Sequence, residues 1–92
     1  MFLFTNMYTE EQILAQLGAR IKSLRFKAGY TSHEKFAYDI DMSRSLYWNY
    51  ENGSNMNFMT LIKILNFHNM TLEEFFAEGF TSETPSKRSR KS

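Results

Sequence analysis

The residues best suited to chemistry in this chain lie on one short segment, residues 32–53. The segment predicts a short helix, a tight turn and a second short helix that stops at Gly53. The second helix would bury one face and expose the polar and aromatic side chains of Arg44, Ser45, Trp48, Asn49 and Asn52. A guanidinium can form two hydrogen bonds with guanine, and a carboxamide can do so with adenine. Such a helix pair is typical of proteins that offer a helix to the DNA major groove.

Flanking helices must position this segment. Apolar residues recur every three or four positions over residues 13–28, which predicts a first helix of about five turns, capped by Thr9 and ended by Gly29. Residues 31–34 fit a capping box for the second helix, which would bury Phe36, Ala37 and Ile40.

The remaining helices are predicted from the same signals. Residues 41–43 form the turn, and Ser43 caps a third helix that runs to about Asn52. A fourth helix is expected over residues 57–66 and a fifth over residues 72–77, after a capping box from Thr71 to Glu74. No stretch alternates with period two, so the expected fold class is all-α.

Length and composition narrow the class of protein. Ninety-two residues make one small domain whose core is barely large enough alone, so association with a partner is expected. The absence of cysteine excludes a disulfide framework and fits a reducing cytoplasm. The apolar run at residues 1–4 is too short for a signal peptide or membrane span. We therefore expect a soluble cytoplasmic protein without membrane contact.

Charge is unevenly distributed along the chain. Residues 1–80 hold seven Lys/Arg and nine Asp/Glu, whereas residues 81–92 hold four Lys/Arg and one Glu. We expect an apolar N-terminal segment at residues 1–8, a folded domain at residues 9–80 and a disordered basic tail at residues 81–92. Because the folded part is slightly acidic, DNA binding would have to rest on a local surface.

An enzyme is disfavoured by the inventory of side chains. His33 and His68 lie on different predicted helices and lack metal-ligand spacing, so no metal site or cofactor is expected. The chain also lacks a glycine-rich phosphate loop and a serine with an evident base.

Residues 17–76 carry an ordered set of short motifs: Leu17-Gly-x-Arg-Ile21, Leu24-Arg25, Phe36-Ala37, Met42-Ser43, Tyr47 with Tyr50, Glu51-x-Gly53, Leu61-x-x-Ile64-Leu65 and Leu72-Glu-Glu-Phe75-Phe76. Together they resemble the Xre/Cro-like helix-turn-helix family of phage-repressor type. The resemblance implies a compact five-helix lambda-repressor-like domain with the helix-turn-helix at helices two and three. Its implied function is sequence-specific binding of double-stranded DNA.

Two departures from the family pattern have structural consequences. Asp41 occupies a turn position that is usually glycine, so it must adopt a left-handed backbone at modest cost. Tyr47 and Tyr50 replace aliphatic residues of the third helix, so their hydroxyls must find partners or reach the surface.

The resemblance assigns roles to individual residues. It implies base contacts from Arg44, Ser45, Trp48 and Asn49, and phosphate contacts from Ser32, His33, Ser43, Asn52, Ser54 and Asn55. The alternative for Arg44 is a solvated or phosphate-facing cation, for His33 a solvent-exposed side chain and for Trp48 a packed surface aromatic side chain. For Arg25 and Glu51 a structural pair between helices one and three is favoured over DNA contact.

The function implied is that of a transcriptional regulator, by default a repressor, acting as a homodimer on an inverted repeat. An antitoxin or protein-interaction module with the same fold is the alternative, and a toxin is then a possible protein partner. The residues considered for a dimer face are the N-terminal apolar segment with Phe67, Met70, Phe75, Phe76 and Phe80.

Overall fold

The computed structural model describes residues 7–81, which form five α-helices: α1 (Glu10–Lys27), α2 (His33–Asp39), α3 (Arg44–Glu51), α4 (Phe58–His68) and α5 (Leu72–Phe76). No strand occurs within this described part, and the predicted all-α, five-helix class is confirmed. None of the helices in residues 7–81 is long and apolar enough to cross a membrane. The expectations for residues 1–6 and for the tail beyond Thr81 lie outside the described residues.

Each helix begins at a side chain that accepts a hydrogen bond from the backbone amide three residues later. The five N-caps are Thr9, Ser32, Ser43, Asn57 and Thr71. The capping box of Thr71 and Glu74 forms as predicted. The box predicted over residues 31–34 is wrong, because the Ser32 hydroxyl caps α2 through the Lys35 amide. Glu34 is thereby free to turn toward α3.

The turn between α2 and α3 depends on Asp41. Its φ is +58°, which confirms the left-handed conformation expected where the family has glycine. The amide of Asp41 donates to the Tyr38 carbonyl at 3.1 Å, and that of Met42 donates to the Ala37 carbonyl at 2.9 Å. These two bonds close the helix end as a Schellman motif. Lys63 of α4 donates to the Asp41 carbonyl at 3.1 Å and fastens the turn to the rest of the domain.

Phe36 is the centre of the core and joins three helices. Its ring centroid lies 5.0 Å from that of Tyr47 on α3 and 5.1 and 5.3 Å from those of Phe67 and His68 on α4. The fully buried side chains around it include Ile21, Tyr47, Ile64, Leu65 and Phe75. Close packing of this kind holds α2 and α3 in one fixed orientation.

The two tyrosines of α3 belong to the core, with Tyr47 fully buried and Tyr50 only 7% exposed. The expectation that both hydroxyls find partners or reach the surface is wrong for Tyr47. Its hydroxyl is buried close to the side chains of Arg25 and Glu51, but it forms no hydrogen bond of good geometry with any residue of the described range. This burial strongly raises the pKa of the Tyr47 phenol, so the side chain stays neutral.

The residues considered for a dimer face are partly used by the core. Phe75 is fully buried, and Met70 and Phe80 pack against the core as partly buried side chains. Arg20 holds α5 against α1, because its guanidinium donates to the Phe75 carbonyl at 2.8 Å and to the Glu74 carbonyl at 3.0 Å. Phe75 therefore cannot contribute to a dimer face as expected, whereas Phe67 and Phe76 remain exposed.

The stability of the fold should depend on the charge of His68. Its ring stacks on Phe36, and its Nε2 is buried without a hydrogen-bond partner in the described structure. His68 and Lys27 of α1 both line a small surface cleft. Burial lowers the pKa of His68 below its ordinary value near 6.5. Stability should therefore be full above about pH 6.5 and fall as pH drops below it, because the unfolded chain takes up the proton more readily.

Urea unfolding at about pH 7.5 and about pH 5.5 would measure this dependence. The variant His68→Gln should lose less stability on acidification than the wild type. An equal loss in both proteins would mean that other groups cause the acid sensitivity.

Candidate nucleic-acid interface

The exposed side of α3 carries the residues assigned to base contact. Tyr47 and Tyr50 point into the core, whereas Arg44, Ser45, Trp48 and Asn49 are exposed. Because an α-helix repeats every 3.6 residues, these four positions share one face over two turns. Leu46, which the sequence patterns did not single out, is also 43% exposed at the edge of this face.

A cleft of about 400 Å³ lies between the first turns of α2 and α3. It is lined by His33 and Glu34 from α2 and by Arg44, Ser45 and Trp48 from α3. The structure thus brings three of the expected base-contacting residues next to one of the expected phosphate-contacting residues. Asn49 follows Ser45 by one helical turn and lies outside this lining. Trp48 is 48% exposed, so half of its surface is still available for contact.

Arg44 is paired with Glu34, for which the sequence patterns predicted only a helix-capping role. Its Nη1 lies 3.3 Å from Oε2 of Glu34, across the gap between the two helices. Ten residues separate the two positions, so no local spacing rule connects them. In the sequence, helix capping and the helix dipole both account for a carboxylate in the first turn of α2.

The candidate phosphate contacts lie around the ends of the two helices. The Ser32 and Ser43 hydroxyls accept from the amides of Lys35 and Leu46. Each hydroxyl keeps its own proton, which it can donate to a phosphate oxygen. The Asn52 carboxamide donates to the Trp48 carbonyl at 2.8 Å and retains a second N–H. Ser54 and Asn55 are exposed in the loop that follows α3.

The surface of residues 32–53 carries a slight excess of negative charge, because Lys35 and Arg44 stand against the exposed carboxylates of Glu34, Asp39 and Asp41. Its two Lys/Arg residues are Lys35 and Arg44, and each is paired with a carboxylate. Asp39 accepts hydrogen bonds from the Tyr30 phenol and from Lys35, which together lower the pKa of Asp39. The same bond to Asp39 raises the pKa of Tyr30. Attraction of DNA by this surface therefore comes from local contacts and not from a large positive field.

Comparison with known proteins agrees with this geometry. The family model described as "Helix-turn-helix domain" matches residues 18–78, which is more than half of the chain. The chain belongs to this helix-turn-helix family. It is also similar to the control protein C.MunI of Mycoplasma sp., with 36% identity over 67 residues that cover 72% of this chain and 90% of that protein. The predicted Xre/Cro-like relationship and the DNA-binding, transcription-regulating class are confirmed.

Within the helix-turn-helix domain, α3 is held at its C-terminal end by a buried ion pair. The Arg25 guanidinium donates to both Glu51 carboxylate oxygens, at 2.7 and 3.0 Å, and also to the Tyr30 carbonyl at 3.0 Å. The two side chains are only 5% and 4% exposed. The hydrogen bonds to Glu51 raise the pKa of Arg25, so the guanidinium stays charged. Burial keeps both residues away from any DNA surface.

Gly18 allows α1 to approach this same end of α3. A Cβ placed on Gly18 would lie 2.5 Å from the Glu51 carbonyl oxygen and 2.8 Å from the Tyr50 carbonyl oxygen. Only a residue without a side chain fits such a contact. The orientation of α3 thus depends on residues that do not reach its exposed face.

Proposed function

We propose that this protein recognises a specific double-stranded DNA sequence by inserting α3 into the major groove and regulates transcription as a homodimer. The observation that supports this most directly is the exposed face of α3, which carries Arg44, Ser45, Trp48 and Asn49 and whose first three members lie beside the first turn of α2. A rigid helix with hydrogen-bonding side chains on its open face fits the width of the groove.

The proposed base contacts follow from side-chain chemistry. Arg44 would donate to the O6 and N7 atoms of guanine, and Asn49 would pair with the N6 and N7 atoms of adenine. Trp48 would contact a thymine methyl group or a sugar. Ser45 can donate to or accept from either base type.

The proposed phosphate contacts would fix the protein's position on the duplex. Ser32, His33 and Ser43 approach the backbone at the starts of α2 and α3, and Asn52, Ser54 and Asn55 approach it after α3. Such contacts add affinity but carry no sequence information. Since the cations of this surface are already paired, few counterions should be released on binding.

A dimer is proposed because one recognition helix of eight residues reads only a few base pairs. Two copies related by a two-fold axis would read an inverted repeat. Exposed apolar side chains outside the α3 face, including Phe58, Met59 and Phe76, are available for contact between copies. Repression by blocking polymerase is the proposed outcome, and the name "control protein" of the Mycoplasma relative is consistent with a regulator.

Selection of bound sequences from a random duplex pool tests this function. Enrichment of one motif is expected, and two-fold symmetry in the motif would report a dimer. Recovery of unrelated sequences at equal frequency would contradict sequence-specific binding.

Replacing Arg44 with alanine should weaken binding to the selected site by about 1–3 kcal/mol, because a bidentate contact with guanine is lost. The fold should be nearly unaffected, since the side chain is exposed and its ion pair with Glu34 is a surface pair. Fluorescence anisotropy titration of a labelled duplex measures the change. Lys22→Ala, at an exposed position of α1, removes an equal charge and serves as the control. Unchanged affinity of the Arg44 variant would refute its role in base contact.

A second function, as an antitoxin or protein-interaction module, is favoured by the same exposed apolar groups. Phe58 and Met59 are 57% and 68% exposed at the start of α4. Failure to select any DNA motif, together with a stoichiometric complex with the product of a neighbouring gene, would favour this function over the first.

A further inference from the structure

The geometry points to Glu34 as a specificity-determining residue that holds Arg44 at the groove and restricts their shared base pair to guanine and cytosine. This inference rests on the proposed DNA-binding function. It concerns a residue on α2, outside the helix that would enter the groove.

The contact between Glu34 and Arg44 is open to water in the free protein. The two side chains are 56% and 73% exposed, and 3.3 Å separates Oε2 from Nη1. An exposed pair of this kind contributes little to folding stability. Docking against DNA would remove water from the cleft that both residues line, and the attraction between them would then increase. The electrostatic attraction between Glu34 and Arg44 is therefore greater in the DNA complex than in the free protein.

A carboxylate on a DNA-facing surface needs a compensating partner, because phosphates repel it. Arg44 is the cation paired with Glu34 in the described structure, since Lys35 of the same helix is engaged by Asp39. His33 lines the same cleft, so it is the other titratable group beside the pair. Glu34 can thus remain at the interface only while Arg44 stays beside it.

The pair has the donor and acceptor pattern that one base pair requires. Arginine has five N–H donors, so after one of them contacts Glu34 two others can reach the O6 and N7 atoms of guanine. The carboxylate accepts at either oxygen and can take a hydrogen bond from the N4 amino group of the paired cytosine. Thymine presents its O4 acceptor in the major groove instead of an amino group. A carboxylate facing that oxygen is repelled, so A·T would be rejected.

The test compares Glu34→Gln with the wild-type protein on two duplexes. The first is the site selected from the random pool. In the second, the G·C pair whose preference is lost in Arg44→Ala is replaced by A·T. The wild type should favour the first duplex by about 5- to 150-fold, and Glu34→Gln should reduce that ratio at least about fivefold.

Affinity of the Glu34→Gln variant for unrelated duplexes should rise at the same time, because one negative charge is removed. Glu73→Gln at an exposed position of α5 makes the same change in net charge and should leave the discrimination ratio unchanged. In the Arg44→Ala background, Glu34→Gln should no longer alter discrimination, because Glu34 can remain at the interface only while Arg44 neutralises it. Equal urea unfolding midpoints would confirm that the variants remain folded.

Three outcomes would overturn the inference. One is a rise in affinity for both duplexes by the same factor in Glu34→Gln, which indicates simple repulsion. Another is an effect of Glu34→Gln on discrimination that persists without Arg44. The third is an unchanged ratio in Glu34→Gln. A wild-type protein that selects no motif would instead contradict the proposed function, so the two failures are distinguishable.

Discussion

Replacing Glu51 with alanine is expected to destabilise the fold by about 3–5 kcal/mol, the typical cost of leaving one member of a buried ion pair unpaired. The Arg25 guanidinium would keep its charge in a site that is only 5% exposed, with its bond to the Tyr30 carbonyl but without the carboxylate. Domains of this size are stable by about 5–15 kcal/mol, so the variant should lose a large share of its folding free energy.

Urea unfolding followed by circular dichroism measures the effect of Glu51→Ala. The matched control is Glu34→Ala, which breaks an ion pair between exposed side chains and should cost no more than about 1 kcal/mol. The double variant Arg25→Met with Glu51→Leu should recover much of the loss, because apolar side chains can replace a buried pair. Similar stability losses in Glu51→Ala and Glu34→Ala would contradict the burial argument.

Replacing Gly18 with alanine should also destabilise the protein, by about 2–3 kcal/mol, although alanine is the better helix former by about 1 kcal/mol. The added methyl group would lie 2.5 Å from the Glu51 carbonyl oxygen and 2.8 Å from the Glu51 carbonyl carbon. Both are backbone atoms of the last turn of α3, so no side-chain rotation can relieve the clash. Separation of α1 from α3 would also strain the Arg25–Glu51 pair at the same crossing.

Thermal or urea unfolding of Gly18→Ala measures this cost. Ser23→Ala is the control, since residue 23 is an exposed position of α1 where higher helix propensity should raise stability slightly. A Gly18→Ala protein at least as stable as the wild type would show that the crossing can widen without loss. A destabilised variant should also bind the selected DNA site less well, because the end of α3 would no longer be fixed.

Much of the architecture could be predicted because helix signals act over a few residues. The caps at Thr9, Ser43 and Thr71 each involve an amide three positions later. Both partners of each cap therefore lie within one short stretch of sequence, which makes the cap predictable. The left-handed turn at Asp41 was predictable from the family resemblance, because Asp41 stands where the family usually has glycine. The motifs of residues 17–76 combine these local signals and support the family assignment.

The structure corrected expectations that depended on competition between nearby residues. Thr31 and Ser32 are both good helix caps, and only the folded backbone shows that Ser32 is used. Phe75 has the character of either a core or an interface residue, and the packing of α5 against Arg20 places it in the core. The Tyr47 hydroxyl is a different case, because its enclosure without a hydrogen-bond partner results from the packing of whole helices and follows from no spacing rule.

The sequence by itself determined the five helices, most of their N-caps and the open face of α3 that carries Arg44 and Asn49. Tertiary structure alone decided that Glu34 faces Arg44, that Lys63 holds the turn and that Gly18 touches the end of α3. The physical reason is range: capping and periodicity act within about four residues, whereas these contacts are set by how whole helices cross. The surface proposed to read DNA thus has its side chains encoded locally and its orientation encoded by packing.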